Sequence, residues 1–418
     1  MFYINPSAHL YLFRHTRAPY LLFIAARLYN HHSIFSVPIM RFALILLFAL
    51  FPALSYGAGA PEQSAPALAA KAYVLYDYTS NQILAGKNAG EHIQPASLTK
   101  LMTAYVTFSA IKQGKISLSQ RVTPSPYALR ILGEESRMFL EPGKPVKIED
   151  LLRGLIVQSG NDAARVLAET IANHELAFAT DLMNAEAKRL GMKDTHFVNA
   201  TGLPEDQHYS SAHDLALLAA AIVRDFPEFY FIYSIREFQY NNVKQFNRNQ
   251  LLWLDPYVDG MKTGHTESAG FCLVASAKRE QHRLISVVLG APSESLRSSE
   301  SQRLLNYGFQ NFEPILLYKK DQPVSSVRTW KGTEKKVDIG FRNDQYVTIP
   351  RGQREQLKAT LETLQPLIAP IDDGQKIGVL KISLNGKVYF ELPLVALNSV
   401  SLANVFSRGV DTIRLLFH

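Results

Sequence analysis

The spacing of apolar residues changes once along this chain, and that change limits the folds open to it. Between Pro95 and Val223 apolar side chains recur at helical spacing, and past Gly260 they recur at the spacing of strands. Leu98, Leu101, Met102, Tyr105 and Val106 define a first helix, with Pro95 at its favoured early position. A second follows Glu149-Asp150, carries Leu151, Leu152, Leu155 and Ile156, and stops at Ser159-Gly160-Asn161 before a third begins near Asp162. Helices also fit 177–190 and 212–223. The runs 271–277 and 284–289 flank polar 278–282 and predict an antiparallel hairpin, followed by a helix over 300–309. Ahead of all these, 72–77 and 82–84 read as strand–turn–strand around Thr79-Ser80-Asn81. Strand, a run of helices, then strands is an α+β order: an antiparallel sheet flanked by helices.

From about Glu313 the texture changes again. Val337-Asp338-Ile339, Tyr346-Val347-Thr348-Ile349 and 377–384 alternate apolar and polar, and Asn385-Gly386 leads into another strand pattern. Asn-Gly between alternating runs is the strongest short hairpin signal. We expect one unit over 61–312 and a small all-β domain over 313–400. In 401–418, Leu402, Phe406, Val410, Ile413 and Phe417 fall on one helical stripe, with Arg408 and Arg414 off it. That is an amphipathic helix suited to a membrane interface.

The N-terminal part carries an export signal. Met40-Arg41 precedes an apolar run from Phe42 to Phe51, then Pro52 and the small residues Gly57-Ala58-Gly59-Ala60. A basic start, a short apolar core and a small-residue exit make a secretory signal peptide over 40–60. Residues 1–39 lack helical or strand period, and we read them as a doubtful extension. The single cysteine, Cys272, lies in an apolar strand pattern and reads as a buried small hydrophobe. The net charge of +7 is spread along the chain without a dense basic block, which argues against a nucleic-acid partner.

Three short strings carry chemistry: Ser97-Leu98-Thr99-Lys100, Ser159-Gly160-Asn161 and Lys262-Thr263-Gly264. A serine hydroxyl is a poor nucleophile without an adjacent base. Ser97 and Lys100, three residues apart on a helix, share a face. Lys100 lies in the first turn, where the helix dipole disfavours an ammonium, and burial beside Lys262 would lower its proton affinity further. Ser159 can relay a proton to a departing amine, and Asn161 can orient Lys100 and substrate backbone. Lys262 and Thr263, opening a strand, would clamp a carboxylate, and Gly264 would let substrate backbone approach. The backbone N–H groups of Ser97 and His265 would form an oxyanion hole. No ligand spacing for a metal is visible, and no cofactor is implied.

In this order the three strings pair as they do in penicillin-binding proteins and class A β-lactamases. From about Lys71 to its end the chain resembles the low-molecular-mass penicillin-binding proteins, the type-five D-alanyl-D-alanine carboxypeptidases. Pro95-Ala96, Tyr209-Ser210-Ser211-Ala212, Asn247-Arg248-Asn249, Val258-Asp259-Gly260, the β-domain and the tail also carry the resemblance. It implies a serine β-lactamase/transpeptidase fold followed by a β-sandwich, on the periplasmic face of the inner membrane. It implies hydrolysis of the terminal D-Ala from peptidoglycan stem pentapeptides through a Ser97 acyl-enzyme, and acylation by β-lactams. Arg297 falls where the family has an arginine near the substrate's terminal carboxylate, whereas Arg248 reads as loop-supporting. Thr201 stands where relatives carry His, a difference that bears on deacylation rate. A β-lactamase would need a glutamate to activate water; the 201–214 loop offers only Glu205. A D,D-endopeptidase shares the chemistry, and a wall-binding scaffold would not need to keep the nucleophile.

Overall fold

The computed structural model describes residues 65–417 apart from 131, 132 and 134. The expected signal peptide and the stretch ahead of it lie outside the described residues. Strands β1 (Ala72–Asp77), β2 (Gln82–Lys87), β3 (Val258–Thr266), β4 (Gly270–Arg279) and β5 (His282–Ala291) form one antiparallel sheet in the order β2-β1-β5-β4-β3. In β1, Ala72, Val74 and Tyr76 enter the core on one face, and Tyr73 and Leu75 enter a second core on the other. Helices on both sides leave no polar face, which is why β1 and β5 are buried along their whole length.

One face carries the helical lobe: α1 (Lys100–Lys112), α2 (Ile148–Arg153), α3 (Asn161–Ala172) and α4 (Ala212–Asp225). The other carries α5 (Glu294–Asn311), whose Leu304, Leu305 and Phe309 pack beneath the sheet. This helix starts six residues earlier than its apolar spacing predicts. Its first turns are polar, and Ser293 caps them by accepting from the Leu296 N–H at 3.2 Å. Those early turns place Arg297, which the spacing did not assign to a helix. The expected helix over 177–190 is interrupted by a π-helical stretch, Phe178–Met183.

Eight further strands follow from Phe312. β6 (Phe312–Tyr318) pairs with β9 (Gln345–Pro350), and a six-stranded sheet runs β10-β12-β13-β8-β7-β11. Its members are β7 (Pro323–Trp330), β8 (Lys336–Gly340), β10 (Leu357–Thr363), β11 (Leu367–Ile368), β12 (Lys376–Leu384) and β13 (Lys387–Ala396). Asn385 and Gly386, both at positive φ, make the tight β12–β13 turn. Asp77, fully buried, joins this part to the first sheet: its carboxylate accepts from His282 and from Thr348 Oγ1 of β9, each at 2.7 Å. Helix α6 (Val405–Leu415) closes the chain with no buried residue.

Candidate active site

The candidate nucleophile sits on a turn held from two sides. Residues Ala96–Thr99 form a 3-10 turn that runs into α1 at Lys100, and Leu98 N–H closes it on the Pro95 carbonyl at 3.1 Å. Ala96 adopts φ +48, a conformation that disfavours a side chain, immediately before half-buried Ser97. Gly202, at φ +82, presses on this turn: a Cβ there would lie 1.9 Å from the Ala96 carbonyl oxygen. Gly264 presses from β3, where a Cβ would stand 2.9 Å from the Pro95 oxygen and 3.2 Å from the Ser97 nitrogen. The space that Gly264 leaves is therefore filled first by the Ser97 turn itself, a packing role the sequence reading assigned to substrate.

Lys100 is 1% exposed and reaches three oxygens. Its Nζ donates to Asn161 Oδ1 and to the Thr201 carbonyl, both at 2.6 Å, and lies 3.0 Å from Ser97 Oγ. Burial, then the Arg165 charge, lowers its pKa to about 7, against opposing pulls from Glu135 and Glu175 and with a further push from Arg248. The two 2.6 Å acceptors match the two N–H groups of a neutral amine, which leaves its lone pair for the Ser97 hydroxyl. That geometry is what a hydroxyl nucleophile and an adjacent base require.

Ser159 stands at φ +68 between the π-helical turn Gly154–Gln158 and α3. Its Oγ is buried with no hydrogen-bond partner among the described residues. An unpaired buried hydroxyl is uncommon, and this one stands two residues from Asn161. Asn161 begins α3; its Nδ2 donates to Glu135 Oε2 at 2.7 Å while its Oδ1 faces Lys100.

Lys262 and Thr263 lie at and just past the middle of β3 rather than at its opening, since the strand begins at Val258. The turn of spacing before Lys262 is masked by Asp259 and Gly260, which carry no apolar side chain. β3 is an edge strand, open to pairing on the side away from β4. Lys262 is 2% exposed, and its pKa is driven well below the ordinary lysine value by burial and by the charges of Lys100, Arg248 and Arg297. Two lysines and two arginines acting on one another make a wall suited to an anionic terminus. The exposed His265 ring stacks on Phe271 with centroids 4.0 Å apart, and Arg297 lies 5.8 Å from the same Phe271 ring. Arg297 is buried and paired with Glu294 at 2.8 Å.

Sequence reasoning missed four contributors. The Thr201 carbonyl holds Lys100, but a backbone oxygen leaves no mark on residue identity. Glu135 and Arg165, paired at 2.8 Å, lie outside every motif the sequence shows. His208 joins the helix of the base to the loop of Thr201: its Nδ1 accepts from the Val198 N–H at 3.0 Å and its Nε2 donates to Thr99 Oγ1 at 2.8 Å.

An antiparallel sheet between helical layers, a Ser–Lys pair at one end of a buried helix and a cationic edge strand define a serine acyl-transfer enzyme of the penicillin-recognising class. The family model described as D-alanyl-D-alanine carboxypeptidase matches residues 60–293, and that described as penicillin-binding protein 5, C-terminal domain, matches 312–401. The chain belongs to the D-alanyl-D-alanine carboxypeptidase family, and to its low-molecular-mass penicillin-binding branch. It is 43% identical to D-alanyl-D-alanine carboxypeptidase DacC of Escherichia coli K12 over 86% of this chain and 92% of that one. It superposes on penicillin-binding protein 5 from Haemophilus influenzae with a TM-score of 0.78 and 42% identity, covering 81% of this chain and all of that structure. Penicillin-binding protein D2 from Listeria monocytogenes, solved in its cefotaxime-bound form, matches with a TM-score of 0.55 at 30% identity over 59% of this chain and 100% of that one.

Proposed function

We propose that the chain is a serine D-Ala-D-Ala carboxypeptidase acting on peptidoglycan stem pentapeptides. The observation that carries this reading is the Lys100 amine, saturated by Asn161 and Thr201 and 3.0 Å from the Ser97 hydroxyl. The substrate's D-Ala-D-Ala end lies along the free edge of β3, its terminal carboxylate against Lys262, Thr263 and Arg297. Ser97 Oγ attacks the carbonyl carbon between the two D-Ala residues and gives its proton to Lys100 Nζ. The N–H groups of Ser97 and His265 hold the developing oxyanion. The proton passes from Lys100 through Ser159 to the leaving nitrogen, the C–N bond breaks, and D-Ala departs. Lys100, again a free amine, takes a proton from water, whose oxygen attacks the acyl carbon; the ester bond breaks, Lys100 returns the proton to Ser97 Oγ and a tetrapeptide leaves. A β-lactam carbonyl enters the same path; the Listeria relative is itself solved in a cefotaxime-bound form.

The finer placement is part of the same proposal. The signal peptide over 40–60 would deliver the mature chain to the periplasm, with 61–312 as the peptidase domain, 313–400 as the β-sandwich and 401–418 as an anchor on the inner membrane. The apolar stripe of α6 supports the last assignment, with Phe406 89% and Ile413 61% exposed. No helix among the described residues is long and apolar enough to cross a membrane.

Intact-mass spectrometry after incubation with benzylpenicillin tests the reading. A stable adduct on the wild type that is absent from Ser97→Ala supports it. Rapid loss of penicillin without an adduct makes the chain a β-lactamase, and intact penicillin without an adduct makes it a scaffold.

A further inference from the structure

Lys100 is gripped by two acceptors, and both are anchored in one buried charge cluster. Glu135 Oε2 accepts from Asn161 Nδ2 at 2.7 Å and from Arg165 Nη2 at 2.8 Å. Glu175 Oε1 accepts from the Ala200 N–H at 2.9 Å, one residue before the Thr201 carbonyl that holds Lys100. Glu175 Oε2 accepts from Tyr127 at 2.7 Å and lies 3.9 Å from Arg165 Nε, and Arg165 Nη1 donates to the Arg130 carbonyl at 2.7 Å. The side chains of Arg165, Glu135 and Glu175 are only 6%, 3% and 8% exposed.

We infer that Glu135, Arg165 and Glu175 are a positioning cluster for the catalytic lysine. Glu135 fixes the Asn161 amide with its oxygen toward Lys100, Glu175 fixes the backbone that presents the Thr201 carbonyl, and Arg165 ties the two carboxylates together. An asparagine amide can be turned by half a revolution at little steric cost. Turned, it would set an N–H donor against the lysine and waste the lone pair's alignment on Ser97. A carboxylate accepting from Nδ2 forbids that turn, because the turned amide would face it with oxygen. Burial gives the cluster a second effect. Its charges act on Lys100 with little screening, Arg165 favouring the free amine and the two glutamates favouring the ammonium. The other charged or titratable groups facing Lys100 are Lys262, Arg248 and His208.

This inference rests on the reading of Lys100 as the base, and the test separates the two. The rate of Ser97 acylation by benzylpenicillin, and kcat/KM on a D-Ala-D-Ala peptide, are followed against pH with active sites counted by penicillin titration. Glu135→Gln keeps an acceptor oxygen but removes the charge. It should move the acid limb down by about 1 pH unit and lower the plateau. Arg165→Gln should move the limb up by about 1 unit, and the double variant should return it close to the wild-type position. A merely structural cluster would lower the melting temperature and the active fraction while leaving the limb in place; that outcome overturns the inference. A wild type with no acid limb, or Ser97-dependent turnover that survives Lys100→Ala, overturns the base assignment and this inference with it.

Discussion

The carbonyl oxygen of Thr201 stands 2.6 Å from Lys100 Nζ, as close as the Asn161 oxygen, so a backbone atom directs the lysine lone pair. The Thr201 side chain is turned to Asn199 instead, donating from Oγ1 at 3.0 Å. Acylation should then follow the free amine of Lys100, whose pKa is lowered to about 7. The basic form is the active one, so the rate rises with pH through about 7 and is lost below it. Lys100→Arg, which stays protonated at any working pH, should lower acylation by roughly 10²–10⁴-fold while the protein stays folded by circular dichroism.

Gly202→Ala should be poorly tolerated. The new methyl would meet the Ala96 carbonyl at 1.9 Å, and φ +82 disfavours any Cβ. Both effects bear on the turn that carries Ser97, so the expected loss is about 2–4 kcal/mol in urea unfolding, with slower penicillin acylation. Gly114→Ala, also at positive φ but with open space around it, should cost only the backbone term and leave acylation unchanged.

His208 is held neutral: burial first, then His196 and Lys100, lower its pKa to about 4. The unfolded chain takes up a proton near pH 6.5 and the folded chain does not, so more protons are bound in the unfolded state between those values. Its contribution is therefore complete above about pH 6.5 and is lost as pH falls toward 4, an order of 3 kcal/mol. Urea midpoints measured across that window should fall more steeply for the wild type than for His208→Gln, which does not titrate.

Phe406 and Ile413 on the apolar stripe of α6 are exposed, while Asp411 on the same helix accepts from the Lys331 N–H at 2.8 Å. Phe406→Asp should weaken binding to vesicles containing anionic lipid by about tenfold or more, read by co-sedimentation. Turnover of a soluble peptide should not change.

Thr348→Val removes one of the bonds to the buried Asp77 carboxylate where β9 meets the first sheet. Leaving that oxygen short of a donor should cost about 1–3 kcal/mol, measured by thermal unfolding, without moving the pH profile of acylation.

Much of this protein is written locally. The change of period at Gly260, the Asn385-Gly386 turn, the stripe of α6 and the three strings around Ser97, Ser159 and Lys262 depend on neighbours in the chain, so the sequence by itself determined them. The start of α5 escaped because its first turns are polar and are fixed by the Ser293 cap and by burial of Arg297. The site's inner part was decided only by tertiary structure. The Thr201 oxygen, the Glu135–Arg165 pair and the close approach of Gly202 to Ala96 join segments tens of residues apart. Proton affinity, in turn, depends on burial and on charges brought from those distant segments. A lysine at an ordinary helical position becomes a base near pH 7 only when the fold strips its water and sets Arg165 against it.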